Sequence, residues 1–180
     1  MRIAALLVAG ALLTGCHETG RDGTIDLVDR YPTADKRSTL DLTQAFTVTD
    51  AVIEGTSRRV ILAHTPSRIT WTVDVPASAQ VRAWVALRRD AWDREGDGVV
   101  FRIGIAAGDK YDVLARVHVN PRERPADRRW VPIEAVLSAY AGRTAKLVFS
   151  TDASEDPSRG DSRNDLALWG DPAITRNGSR

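Results

Sequence analysis

Cysteine is almost absent from the 180-residue sequence: Cys16 is the only one, so no disulfide can form within the chain. Long apolar runs are absent too, because the longest, Ile3–Leu13, is shorter than the about 20 residues that a membrane-spanning helix needs. The three histidines lie far apart, which does not match the ligand spacing of a zinc site. No serine lies in the glycine pattern of a catalytic nucleophile. We therefore predict that the chain is not an enzyme and holds no catalytic metal.

Acidic residues alternate with others in one short segment, residues 93–98, whose sequence is DREGDG. The spacing is similar to the first half of an EF-hand calcium loop, but the position of the closing glutamate is occupied by Gly104. A self-contained EF-hand is therefore excluded. A structural calcium site built from several loops, with Asp161 or Asp165, is the alternative to a solvated acidic turn, and we favour the turn. We predict no cofactor.

The charge balance excludes one large class of partners. Without residues 1–15 the chain has 24 basic and 24 acidic side chains, so electrostatics gives no basis for binding nucleic acid. Arginine pairs occur at residues 58–59, 88–89 and 128–129. We interpret them as solvated surface.

The beginning of the chain has the pattern of a secretory signal, with Arg2 followed by the apolar run and then by small residues. Leu13-Thr14-Gly15-Cys16 resembles the lipobox of bacterial lipoproteins. The resemblance implies a signal peptide over residues 1–15, a lipid on Cys16 that anchors the chain to a membrane, and a tether over residues 16–39. His17, where an aspartate would favour retention in the inner membrane, favours the outer membrane of the cell envelope. The alternative is a plain signal peptide with a chance cysteine.

From Leu40 onward, short runs alternate between apolar and polar residues and are separated by turn residues, which is typical of an all-β domain. The runs predict about eight or nine strands in one jelly-roll β-sandwich over residues 40–175, followed by a tail over 176–180. An up-and-down barrel is the alternative. Before residue 40, a short helix is possible, with Ile25, Leu27, Val28 and Tyr31 on one side. One later run predicts a strand with a single apolar face, formed by every second residue: Tyr111, Val113, Ala115, Val117 and Val119.

Three segments, residues 91–101, 137–144 and 168–172, resemble the turns and strand ends of galactose-binding-like jelly-roll domains. Bacteria attach such domains to cell-surface hydrolases, sulfatases and envelope proteins. Many members of the family bind sugars at loops on one edge of the sandwich, whereas others are spacers. The resemblance extends over about half of the mature chain, and it implies the fold more strongly than an activity.

The five tryptophans divide by context. Trp71, Trp84 and Trp130 lie within strand runs, which indicates packing in the core or on a sheet face. Trp92 and Trp169 lie beside loops rich in Asp and Arg, the combination that stacks on a sugar ring and binds its hydroxyls. The other interpretation, which we favour for both rings, is that they pack at the ends of the sandwich. The predicted ligand-binding patch is Arg89, Trp92, Asp93, Asp97, Asp165 and Trp169.

These features together predict a non-catalytic cell-envelope lipoprotein whose sandwich binds a carbohydrate or another envelope component. The alternative is a structural or assembly lipoprotein that has a protein partner and no sugar site.

Overall fold

The computed structural model describes residues 23–153 and 160–176, which form two antiparallel β-sheets. The helical elements are α1 (Leu42–Ala45) and four 3-10 turns at Tyr31–Thr33, Arg89–Ala91, Pro125–Asp127 and Ser138–Tyr140. The strands are β1 (Ile25–Asp26), β2 (Asp35–Ser38), β3 (Phe46–Ile53), β4 (Thr56–His64), β5 (Ser67–Asp74), β6 (Ala79–Leu87), β7 (Val99–Ala107), β8 (Lys110–Val119), β9 (Val131–Val136), β10 (Thr144–Asp152) and β11 (Leu166–Arg176).

The six-stranded sheet has the order β3-β4-β11-β6-β9, with the short strand β1 also paired to β11. The five-stranded sheet has the order β2-β5-β10-β7-β8. Several sequence neighbours, such as β10 and β11, therefore lie in different sheets, as in a jelly roll. The predicted all-β jelly-roll sandwich is confirmed, with eleven strands in the described residues rather than eight or nine.

Aromatic rings fill the space between the two sheets. Phe149 lies against Trp71 edge to face at 5.2 Å between ring centroids, and against Trp169 at 4.5 Å. Phe101 packs edge to face on Trp169 at 5.0 Å. Edge-to-face pairs stabilise beyond the area that they bury, because the positive edge of one ring meets the negative face of the other.

The sandwich begins well before the predicted boundary at Leu40. Ile25 pairs with Ile174 of β11, and β2 pairs with β5. Leu27 and Val28 are buried in the core. The predicted tether over residues 16–39 is therefore too long, because residues 25–38 belong to the fold. The predicted signal peptide and Cys16 lie outside the described residues.

The short helix that the sequence allowed near residue 25 does not form. The Asp26 carboxylate accepts hydrogen bonds from the N–H groups of Val28 and Asp29, at 2.7 and 3.2 Å. This local bonding turns the chain directly after β1 and competes with helical hydrogen bonds. Tyr31 starts a 3-10 turn instead.

The alternation predicted for β8 is interrupted by a bulge. Ala115 pairs with Ile103, whereas Val113 pairs with Gly104, so β8 has one extra residue at Leu114. An extra residue reverses which side chains face the core. Val119 is accordingly buried, but Tyr111 and Val113 are 46% and 52% exposed. The prediction of a single apolar face is therefore wrong for the first half of β8.

The strands run between two ends of the sandwich. The connections 64–66, 88–98, 120–130 and 160–165 meet at one end, which we call the loop end. The connections 54–55, 75–78, 108–109 and 137–143 meet at the other, which we call the turn end. The first described residues lie at the turn end, where β1 pairs with Ala173 and Ile174 of β11. No helix among the described residues has the length and apolar character to cross a membrane.

Candidate functional site at the loop end

The loop end collects five of the six residues that were predicted to bind a ligand. Arg89, Trp92, Asp93 and Asp97 lie on the connection between β6 and β7, and Asp165 lies directly before β11. Trp169 lies within β11 and packs in the middle of the core. The structure therefore places the first five at one end and separates Trp169 from them.

Neither predicted stacking ring is available to a sugar. Trp92 is 5% exposed, and its indole N–H donates to the Leu87 carbonyl at 2.8 Å. The guanidinium groups of Arg89 and Arg128 lie 5.7 and 5.8 Å from its ring centre. Trp169 is fully buried. The prediction of a stacking platform built from these two tryptophans is wrong, because both rings complete the apolar interior.

Arg128 ties two connections of the loop end together. It donates to the Asp93 carboxylate at 2.6 Å and to the Pro121 carbonyl at 3.0 Å. The Asp93 side chain remains 82% exposed, so solvent screens this ion pair and it contributes little to stability. The role that the structure supports for Asp93 is to hold Arg128 beside the Trp92 ring.

Asp165 is a buried carboxyl group, 2% exposed. Burial raises its pKa to about 7, and the nearby charges of Asp97 and Asp161 act in the same direction. The Thr65 hydroxyl donates to it at 2.7 Å and opposes the rise. Near neutral pH the group therefore exists in both protonation states, and it can donate or accept a hydrogen bond.

Asp97 lies near Asp165 and is held through its backbone carbonyl and one carboxylate oxygen. Its carbonyl oxygen accepts a hydrogen bond from His118 Nε2 at 2.8 Å, and its Oδ2 accepts the N–H of Asp161 at 3.2 Å. Its other carboxylate oxygen, Oδ1, is buried and has no hydrogen-bond partner among the described residues. A buried acceptor without a partner is costly, so such a group requires an explanation.

Asn120, which was not predicted, supplies the complementary group. It is 2% exposed, and its side-chain oxygen accepts the N–H of Glu123 at 3.2 Å. The amide NH₂ group is buried and lacks a partner within the part of the chain that the structure describes. The backbone N–H of Asn120 donates to Asp127 at 2.8 Å, which fixes the residue where β8 ends.

Gly98 allows this close arrangement. It has a φ of +82°, and a Cβ at this position would lie 2.5 Å from the Val119 carbonyl oxygen and 2.7 Å from Asn120 Cβ. Only glycine tolerates both the backbone conformation and the close approach. The connection before β7 can therefore lie directly on the end of β8.

A shallow pocket opens between these connections, and its cavity volume is about 10 Å³, which is room for about one water molecule. Asn120 and Asp165 line it, and so do Gly96 and Gly98 on either side of Asp97. The polar side chains at its rim are Arg94, Glu95, Arg122, Arg163 and Asn164. Arg163 is paired with Asp161 at 2.6 Å, and Asn164 donates to the Glu95 carbonyl at 2.9 Å. The pocket thus offers donors and acceptors within one small concave surface.

The described acidic residues of the loop end are next compared with the ligand set of a metal site. No group of three or more His, Cys, Asp or Glu side chains in residues 23–153 and 160–176 is placed to hold a metal ion. The Asp93 carboxylate binds Arg128, whereas Asp161 binds Arg163. Within residues 93–98, the Asp93 carboxylate therefore binds Arg128, whereas Asp97 Oδ2 accepts the N–H of Asp161.

Comparisons with known proteins identify the fold. No family model matches the chain. An uncharacterized protein of Archaeoglobus fulgidus is 38% identical over 101 residues, which cover 56% of this chain and 25% of that protein. This chain therefore spans only part of the length of that relative.

Several solved structures with the same fold contain carbohydrate-binding domains. The tandem CBM22 domains of Paenibacillus barcinonensis Xyn10C give a TM-score of 0.55 at 13% identity and cover 96% of this chain and 53% of that chain. TmCBM61 in complex with β-1,4-galactotriose gives 0.53 at 13%, covering 82% and 90%. The CBM51 domain of Clostridium perfringens GH95 in complex with methyl-galactose gives 0.50 at 12%, covering 84% and 99%. Identities this low show a shared fold and do not transfer a ligand.

Proposed function

We propose that this domain binds carbohydrate without catalysis, and that the pocket at the loop end takes one or two hydroxyl groups of a sugar. The observation that carries the proposal is a pair of buried groups that lack partners in residues 23–153 and 160–176: Asn120 Nδ2, on a residue that lines the pocket, and Asp97 Oδ1, on the residue between the lining glycines Gly96 and Gly98. A sugar hydroxyl both donates and accepts, so neighbouring hydroxyls can satisfy a donor and an acceptor together. The sugar-binding domains that share the fold support the same class of ligand.

The pocket is too small to enclose a sugar ring, which limits the area of contact between the sugar and the protein. The sugar ring itself would rest at the mouth, where Arg94 and Arg122 lie at the rim. Since little apolar area is buried there and neither tryptophan is accessible, we expect modest affinity for a single sugar.

Binding of methyl-galactose by the full-length protein in mild detergent tests this proposal. Asn120→Asp keeps the oxygen that accepts from Glu123 but removes the NH₂ donor, so we expect at least about a tenfold loss of affinity. Gln44→Glu makes the same chemical change on the exposed helix α1 and should bind as the unmodified chain does. Equal affinity in both variants would refute the pocket. Absence of binding to methyl-galactose and to a glycan array, with a protein partner recovered by crosslinking, would favour a structural or assembly role.

We further propose that the domain is displayed on a membrane through a lipid on Cys16, in the cell envelope and at the outer membrane. The point at which the chain enters supports this arrangement, because Gly23 lies beside the Arg176 side chain at the turn end. Seven residues reach at most about 25 Å. A lipid on Cys16 would therefore hold the turn end near the bilayer and leave the loop end facing away.

Replacement of Cys16 tests the anchor. Cys16→Ser should move the processed protein from the membrane fraction to the soluble fraction, since acyl chains would supply the attachment. Retention of the variant on membranes after signal processing would show that lipid does not hold the protein.

A further inference from the structure

Four arginines lie in one row across the outer face of the five-stranded sheet. The register pairs Arg37 of β2 with Arg68 of β5, and it pairs Arg102 of β7 with Arg116 of β8. Ser150 of β10 lies between them, because it pairs with both Arg68 and Arg102. The residues on either side of Arg68 and of Arg102 in the sequence are buried, so the row points away from the core. We call these four residues the arginine row.

The row places like charges directly opposite each other, which destabilises a sheet. Where two charged residues are paired on other strands, their charges are opposite: Asp50 pairs with Arg59, and Arg82 pairs with Glu134. Among the described strands, only the arginine row breaks this pattern. Pairing within the sheet therefore does not account for the row, whereas negatively charged groups bound from outside would relieve the repulsion.

The arginines of the row differ in how firmly they are already bound. Arg102 forms an ion pair with Asp152 that is largely shielded from solvent. Arg37 lies 3.3 Å from the Asp35 carboxylate, but both side chains are exposed, so solvent screens this pair. Arg68 is exposed and forms no hydrogen bond or ion pair within the described residues. Its guanidinium group is therefore available to a carboxylate from another molecule.

Acidic side chains lie on both sides of the row and restrict the kind of anion that fits. Asp35 lies on the turn-end side, where it pairs with Thr70, and Asp152 lies on the loop-end side, where it pairs with Val100. A flat anionic bilayer would bring its charges against both carboxylates, whereas a single extended chain lying along the row would avoid them. The net charge of the chain is only +1, which disfavours a long polyanion such as nucleic acid.

The length of the row sets the length of the ligand. Four steps between neighbouring strands separate Arg37 from Arg116, which is about 19 Å at about 4.8 Å per step. An extended peptide advances about 3.3 Å per residue and turns every second side chain to the same side, so about six residues span the row. We propose that the arginine row binds a short acidic segment of a partner protein, extended across the strands, with Asp or Glu at every second position. This surface is separate from the carbohydrate pocket and does not depend on it.

Calorimetry on the full-length protein in mild detergent tests the proposal with a synthetic peptide in which glutamate alternates with serine. We expect saturable binding that weakens as salt is added, because salt screens exposed charges. The same peptide with glutamine in place of glutamate should not bind. Arg68→Gln should lower the affinity at least about tenfold, since charge-assisted hydrogen bonds are lost. Arg82→Gln makes the same change at an exposed position of the six-stranded sheet and should bind as the unmodified chain does.

Thermal melts of the same variants separate a binding role from a structural one. Arg68→Gln relieves the repulsion with Arg37, so its midpoint should equal or exceed that of the unmodified chain. Asn120→Asp should leave peptide binding unchanged, so failure of the carbohydrate pocket would not remove it. The proposal is overturned if the glutamate peptide does not bind, if Arg68→Gln binds it as well as the unmodified chain does, or if the midpoint of Arg68→Gln falls. Binding of anionic lipid vesicles or of single-stranded DNA through Arg68, without binding of the peptide, would also overturn it.

Discussion

The two ends of the sandwich are built in different ways. At the turn end, connections are joined by backbone hydrogen bonds, such as Val75 N–H to the Arg143 carbonyl at 3.0 Å and Leu137 N–H to the Ala79 carbonyl at 2.8 Å. Val75 and Leu137 bury apolar side chains beneath those bonds. At the loop end, side chains such as Arg128 add to the backbone bonds, and the buried polar groups of Asn120 and Asp165 lie among the apolar ones.

The difference indicates that the loop end is the less stable of the two ends and that its buried polar groups form a binding site. Two of the buried side-chain atoms that lack partners in the described residues, on Asp97 and Asn120, belong to the loop end. The turn end contributes none of those identified in the same residues. Unsatisfied polar groups destabilise a fold, and they tend to persist where they have another use. We infer that the turn end holds the sandwich together and that the loop end is available to bind.

The largest effect should come from Asp165. Its folded pKa is about 7, whereas that of an unfolded aspartate is about 3.9. Between these values the folded chain holds a proton that the unfolded chain has released, so stability falls as pH rises through that window and is level above it. Asp165→Asn should remove this dependence on pH. Above pH 7, the free energy of unfolding of the variant should exceed that of the unmodified chain by at most roughly 4 kcal/mol. Urea unfolding of both proteins from pH 4 to pH 8 measures it, and parallel pH profiles would show that Asp165 is not responsible.

A pair of glycine substitutions compares the two ends directly. Gly98→Ala should lower the free energy of unfolding by about 3 kcal/mol, because a positive φ and contact with the Val119 carbonyl add together. Gly108→Ala at the turn end has a φ of +64° but open space around it, so only the backbone conformation should cost stability, about 1 kcal/mol. Chemical denaturation gives both values. Equal losses would mean that the loop end is no more tightly packed than the turn end.

The smallest effect should come from the exposed ion pair. Asp93→Asn removes the charge that Arg128 binds, and we expect a loss below about 1 kcal/mol because the carboxylate lies in solvent. A thermal melt at low and high salt measures this contribution. A larger loss would show that the contact between Arg128 and Asp93, despite its exposure, holds the loop end together.

The strands were largely predictable because alternation is a direct consequence of burying one face of a sheet. It fails in β8, where the added residue at Leu114 turns Tyr111 outward without any glycine or proline in the sequence to mark it. The alternation also gives no information on how deeply a side chain is buried. Trp92 and Trp169 lie near polar residues in the sequence, yet both rings point into the core. Trp92 closes the interior beside a strand end, whereas Trp169 lies within β11.

Part of the candidate site was visible in the sequence. Asp97 and Asp165 were chosen for their position in polar loops, and the structure brings them together. Asn120 was missed, although the Asn-Pro pair at residues 120–121 is a turn signal directly after a strand. That signal indicates where the chain turns but not that the amide will be buried, because burial depends on Gly98 packing from another connection.

The Asn120 side-chain amide is the most direct test of binding at the loop end. Nitrogen-15 NMR spectra of the full-length protein in mild detergent would follow its NH₂ signals while methyl-galactose is added. We predict saturable shifts of those signals and of backbone amides over residues 94–98 and 120–123, with the amides over residues 137–143 at the turn end unchanged. Static Asn120 signals at saturating sugar, or shifts of equal size at the turn end, would contradict the assignment of the binding site.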